Sequence, residues 1–190
     1  MGGECMRLKP GDALVIVDVQ RDFCASGALA VPDADSILPT VNALIEEAVA
    51  AGATVIASRD WHPPSHASFQ EAGGDWPAHC VQGSAGAQFH PDLRLPEQAI
   101  IVSKGEALER DQFSAFDAPG LADRLRLVGA RRVLIVGLAL DICVLETALA
   151  AAAQGFETHV RLSGARAMTA EGAKVAVNKM RKAHVVVEQR

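Results

Sequence analysis

The chain has 190 residues, of which 49% are apolar and 22% charged, and a formal net charge of −5. That length suits one domain with a sizeable core, here expected over 1–190, and the apolar share excludes a disordered chain. Basic residues are scattered apart from "NKMRKAH" near the C-terminus, which reads as a solvated helix face, so composition speaks against a nucleic-acid partner.

The first residues, "MGGECMRLKPGD", contain no apolar h-region, and Met6 stands where a myristoylation signal has Ser or Thr. The apolar run "DALVIVDV" is bounded by acids and is too short to span a membrane. These features set the expectation of a cytoplasmic protein with no membrane partner. Cys5, Cys24, Cys80 and Cys143 form no CxxC pair, and at this length they do not suggest a disulfide framework.

Short β-branched runs recur along the chain: "ALVIVDV" (13–19), "ATVIASRD" (53–60), "QAIIVSK" (98–104), "RRVLIVG" (131–137), "FETHVRL" (156–162) and "HVVVEQ" (184–189). They are continuously apolar rather than alternating, as expected of strands buried on both faces of a parallel sheet. Helical patterns lie between them. "DSILPTVNALIEEAVAAGA" repeats apolar residues at three and four and stops at Gly52; "PGLADRLRLVGA" runs from Pro119 to Gly129. "DICVLETALAAAAQG" and "TAEGAKVAVNKMRKA" complete the set. The alternation predicts an α/β fold: a three-layer αβα arrangement around a six-stranded, mainly parallel, doubly wound sheet. Residues 60–97 break it. They show no sustained period and are rich in Gly, Pro, His and Trp, and a loop this long inside a domain is usually functional.

Polar residues gather at the strand ends. Asp18 ends the first strand, Asp60 and His62 follow the second, Lys104 ends the third, and Cys143 follows the fourth in the first turn of a helix. In a parallel sheet these ends share one edge, where open α/β sheets build their sites. Singly, each has a structural explanation: a cap, a solvated lysine, a small buried thiol. Together they could perform acyl transfer. Ammonium and helix N-terminus favour a thiolate, and aspartate could take the thiol proton and return it to a leaving amine.

Asp60-x-His62, with His66 and His79 in the long loop, offers imidazole and carboxylate ligands for a divalent metal with a position left open. Cys80 beside His79 would instead permit a closed structural zinc site.

The blocks "IVDVQRDFCASGALAVP", "SRDWHPPSHASF", "WPAHCVQGSAGAQFHPDL", "SKGEALERDQFSAF" and "VGLALDICVLETALAA" resemble, in order, the motifs of nicotinamidases, the pyrazinamidase-like members of the isochorismatase-like hydrolase superfamily. The resemblance spans about residues 13–187. It implies an amidohydrolase of the NAD salvage route that converts nicotinamide, and pyrazinamide, to the acid and ammonia through a cysteine thioester.

Matched position by position, it implies Cys143 as nucleophile, Asp18 as acid and base, and Lys104 as the third catalytic group. Asp60, His62 and His79 match metal ligands, and His66 a position that ligates in some members. The implied metal is zinc first, with iron and manganese as alternatives. Phe23 and Trp76 match ring-packing residues. The amides of Ala139 and Cys143 match the oxyanion hole, after a cis peptide between Leu138 and Ala139, both carried as substrate-binding positions.

Three positions depart from the pattern. Leu140 and Ile142 replace a threonine and an aromatic or His before the nucleophile, and Phe113 a common tyrosine, changes that bear on substrate preference and turnover more than on reaction type. Two other readings stay open: a metal-independent carbamoyl or ureido amidase of the same superfamily, and a non-catalytic zinc-binding or redox-sensing domain. A homo-oligomer is left open as well. Cys5, Cys24, His90, His159 and His184 carry no assigned role.

Overall fold

The computed structural model describes residues 5–189. Part of the N-terminal reading falls on residues 1–4, outside this range. Six strands are described: β1 (Asp12–Val17), β2 (Thr54–Asp60), β3 (Ile100–Lys104), β4 (Arg132–Leu138), β5 (Glu157–Arg166) and β6 (Val186–Glu188). They form one sheet in the order β3-β2-β1-β4-β5-β6, with every pair parallel. The helices are α1 (Leu38–Ala51), α2 (Leu121–Leu127), α3 (Cys143–Ala153) and α4 (Ala170–Lys182).

All six residues of β1 are buried, so its alternating side chains feed both faces of the sheet. Leu14 and Ile16 join the layer of Val41, Leu44, Ile45 and Ala48 from α1. Ala13, Val15 and Val17 join the other layer, with Leu121 and Leu125 of α2, Val144 and Ala148 of α3, and Met180 of α4. One helix against three is an uneven cover. The long connection from β2 to β3 compensates, since its Cys80, Ala87 and Leu93 pack into the α1 layer.

The expected elements are present with altered ends. β1 stops at Val17, because Asp18 takes a left-handed φ of 49° and turns the chain out of the sheet. α1 begins three residues after the start of its apolar pattern, the preceding turn being a tighter 3-10 segment over Ala34–Ile37. β5 runs on to Arg166 through an irregularity against β4 between Ile135 and Gly137. The helix α4 is capped by Thr169, whose hydroxyl accepts the Gly172 amide at 2.9 Å, an arrangement worth about 1 kcal/mol. Among the described residues no helix is long and apolar enough to cross a membrane.

Candidate active site

β1 lies centrally between β2 and β4, where the sheet order reverses, and the carboxyl ends of these strands form the crevice that such a reversal opens. Asp18 follows β1, Asp60 ends β2 and Lys104 ends β3, with Asp60 and Lys104 directly paired in register. Cys143 is the first residue of α3, across the crevice.

All four side chains meet. Lys104 is buried, with its Nζ 2.8 Å from Asp18 Oδ2, 2.5 Å from Asp60 Oδ1 and 3.5 Å from Cys143 Sγ. Ser58 Oγ donates to Asp18 Oδ1 at 2.7 Å. Asp18 Oδ2 is paired with Lys104 by charge but receives no directed hydrogen bond, so this fully buried oxygen keeps a lone pair for a proton.

The electrostatics follow from one cation among three acidic groups in a dry place. Burial opposes the Lys104 charge, but Asp18 and Asp60 outweigh it and hold its pKa well above the ordinary lysine value. Burial also raises Asp18, against the pull of Lys104 and with help from Asp60. Asp60 ends below the usual carboxylate range, chiefly because the Lys104 charge counters its own burial. Burial pushes the Cys143 thiol well above its free value; Lys104 counters this, and Asp18 and Asp60 reinforce it. Burial thus works against the pull of the ammonium and the helix N-terminus, and Asp18 stands beside the sulfur as the group that could take its proton.

Asp60 faces two ways. Its Oδ1 meets Lys104, while its Oδ2 lies 3.5 Å from His62 Nε2 and 3.9 Å from His79 Nε2. One ligand atom from each of Asp60, His62 and His79 falls within 4.8 Å of the other two, and all three residues are buried. The tautomers suit a cation. His62 Nδ1 donates to the Gly105 carbonyl at 3.0 Å and His79 Nδ1 to the Pro77 carbonyl at 2.7 Å, which leaves both Nε2 lone pairs facing Asp60. Burial lowers the His79 pKa and so favours the neutral ring a metal needs. Gly105 is part of this fit, because at its φ of +75° a Cβ would run into the His62 ring.

His66 stands apart. Its ring lies 4.4 Å from that of His62, but Nε2 donates to the Ala107 and Arg110 carbonyls, and Nδ1 faces the Ser68 hydroxyl and amide. No lone pair is left for a metal, so the structure does not bring His66 into the ligand set. Cys80 stays out as well. It is fully buried, its thiol pKa is raised by that burial, and its amide donates to Asp22 Oδ2 at 2.7 Å.

The Leu138–Ala139 peptide is cis. Among the described residues neither the Ala139 nor the Cys143 amide is spent on a main-chain partner, whereas the Leu140 amide donates to Arg166 and those of Ile142 and Val144 to Ala139. A pocket opens over these groups. Phe23, Trp76, Phe113, Ile142 and Met168 line it together with Asp60, His62, His79, Ala139 and Cys143. Leu138, expected beside them, is instead the last residue of β4 and is buried in the α1 layer, so it does not reach the pocket. Leu140 is core too, while Ile142 and Phe113 do line the cavity.

Sequence reasoning passed over Ser58 and Gln20, single polar residues in apolar runs that carry no spacing signal. It also treated Cys24 and His90 as unrelated, yet with Asp35 they form a second compact group. There His90 Nδ1 accepts the Asp92 amide, so a neutral ring carries its proton on the Nε2 that faces Asp35. That tautomer does not suit a metal, and the Cys24 thiol is pushed up to about 12 by burial and Asp35.

Comparison with known proteins supplies the family. The chain is 41% identical over 178 residues to the Nicotinamidase of Escherichia coli (strain K12), covering 83% of this chain and 84% of that one. To the Nicotinamidase/pyrazinamidase of Mycobacterium tuberculosis it is 36% identical over 179 residues, covering 91% and 96%. The crystal structure of the pyrazinamidase of Pyrococcus horikoshii in complex with zinc superposes with a TM-score of 0.92 at 41% identity, covering 95% of this chain and all of that one. The Isochorismatase domain matches residues 12–189, the whole sheet from β1 to β6, and it is to this family that the chain belongs.

Proposed function

We propose that the protein is a nicotinamidase: an amidohydrolase that cleaves the carboxamide C–N bond of nicotinamide, and of pyrazinamide, and serves NAD salvage. The observation that carries this reading is the buried Cys143 thiol, which lines the same pocket as Asp60, His62 and His79 and lies 3.5 Å from Lys104. The nicotinamidase relatives support the substrate class.

In this reading Cys143 Sγ bonds to the carboxamide carbon while its proton passes to Asp18 Oδ2. The freed amides of Ala139 and Cys143 donate to the oxygen that gathers charge. Asp18 then gives the proton to the departing nitrogen, the C–N bond breaks, and ammonia leaves a thioester on Cys143. Water attacks the thioester carbon, Asp18 takes its proton and returns it to Sγ as the C–S bond breaks, and the thiol and the Asp18 carboxylate are restored as the acid departs. Lys104 keeps its proton throughout; its charge steadies Asp18 and the transient thiolate. Phe23 and Trp76 would flank the ring. Asp60, His62 and His79 would hold a divalent metal, zinc first and iron or manganese otherwise. When bound, such an ion supplies a Lewis-acidic anchor for the ring nitrogen.

The test is ammonia release from nicotinamide, pyrazinamide and benzamide by metal-replete and chelated protein. The reading expects turnover of both ring-nitrogen amides, poor turnover of benzamide, and reversible loss of activity on chelation. Equal turnover of benzamide would overturn the role given to the metal, and no turnover of any of the three would overturn the substrate class.

A further inference from the structure

The last residue pair between β1 and β2 is Val17 with Ser58. Beyond it β1 is gone, because Asp18 turns out of the sheet, while β2 continues for two more residues to Asp60. On its other side β2 stays paired, with Asp60 opposite Lys104 on β3. The Asp60 peptide groups that face the missing end of β1 would be orphaned in a buried place, which costs about 1–3 kcal/mol per group.

Gln20 fills this gap. Its fully buried side-chain amide accepts from Asp60 N through Oε1 at 2.8 Å and donates through Nε2 to the Asp60 carbonyl at 2.8 Å. The same Nε2 donates to the Ala87 carbonyl at 2.9 Å, on the far side of the loop that carries His62 and His79. One side-chain amide thus stands in for a peptide unit of β1, and every hydrogen-bonding group it owns is used.

We infer that Gln20 is a positioning residue: it fixes the backbone of Asp60, and so aims that carboxylate between Lys104 and the two histidines while mooring the loop that brings His79 to it. Gln20 is absent from the pocket lining, and its side chain acts through Asp60 and Ala87, while its main chain bonds to Asp18 and Phe23 and is kept in the variants below. The inference rests on the proposed metal set of Asp60, His62 and His79, and it predicts that the quality of that set depends on a residue that is not a ligand.

Apo-protein is titrated with zinc against a chromophoric chelator, and separately with cobalt to record the visible spectrum, for wild type, Gln20→Met and Gln20→Glu. Gln20→Met keeps the bulk and removes all three hydrogen bonds; Gln20→Glu keeps an acceptor for Asp60 N and serves if the first variant folds poorly. Met180→Ala, on the buried face of α4, controls for stability alone. The expected result is zinc binding weakened by about 10–100-fold in the Gln20 variants, as for partners that orient ligands, with an altered cobalt spectrum. Met180→Ala should lower Tm and leave both readouts unchanged. Gln20 variants that bind zinc as wild type does and give its cobalt spectrum, losing only Tm, would overturn the inference alone. Wild type that takes up no zinc would overturn the metal reading and the inference with it.

Discussion

Lys104→Met removes the charge that two carboxylates share and keeps most of the bulk. Lys104 Nζ lies 2.8 Å from Asp18 Oδ2 and 2.5 Å from Asp60 Oδ1, and the lysine side chain is fully buried. At an effective dielectric of about 20, an attraction at such distances is worth about 6 kcal/mol, against several kcal/mol of desolvation for each ion. Deleting one partner leaves the other charges buried and unpaired, for which about 3–5 kcal/mol is the usual loss. In a chain of this size that corresponds to a fall in Tm of about 6–20 °C, read by circular dichroism on chelated protein at neutral pH. The pH dependence has a definite sign. The Lys104 pKa is raised in the folded state, so its contribution is complete below the free lysine value of about 10.4 and is lost as pH rises through the higher folded value. Towards acid the gap between variant and wild type narrows, because protonation relieves the unpaired carboxylates of the variant. Adding Asp18→Asn and Asp60→Asn to the variant should recover part of the loss. A Tm within 2 °C of wild type, with no recovery from the added substitutions, would refute the claim that this cluster is held by charge.

Further expectations concern the groups around that cluster. Ser58→Ala removes the hydroxyl that donates to Asp18 Oδ1 and favours its charged form. It should cost about 1.5–3 kcal/mol of stability or barrier, with kcat/KM down about 10–100-fold and the acid limb of the rate profile moved to higher pH. Gly105→Ala forces a Cβ against the His62 ring, so zinc affinity measured by chelator competition should fall about tenfold or more. His66→Gln should lower Tm, since it disturbs buried partners at about 1–3 kcal/mol, yet leave zinc stoichiometry by elemental analysis unchanged. Loss of zinc in that variant would return His66 to the ligand set. Acid unfolding should begin earlier in Asp60→Asn than in wild type, but the difference should shrink below the free Asp value of about 3.9. The depressed Asp60 pKa contributes stability above that value and loses it as pH falls towards the folded one.

Much of the site lies open in the sequence because parallel strands deliver their ends to one edge. Asp18, Lys104 and Cys143 each follow a recognisable apolar run, and the alternation of runs and helical patterns is enough to predict that they meet. Distances and tautomers are not so visible. His66 is spaced four residues from His62, as ligands on one helix would be, but the segment is not helical and its ring turns to Ala107 and Arg110. Asp60 reads as a metal ligand from Asp-x-His together with His79 in the same loop, while its second bond to Lys104 depends on the register of β2 against β3. Gln20 is hidden for a related reason: its role exists because β1 stops at the left-handed Asp18, a local turn that no periodicity announces. For Cys143 a helix N-terminus and a lysine favour the thiolate, while the burial that opposes them is a property of the assembled core.

The central claim is that Cys143 opens a carboxamide, and the most direct measurement is ammonia release from nicotinamide by metal-replete wild type and Cys143→Ala, with equilibrium binding of nicotinamide followed in parallel. The account predicts stoichiometric ammonia and nicotinate from wild type, none from the variant, and nicotinamide binding by both. Ammonia release by Cys143→Ala at a rate near that of wild type would contradict it.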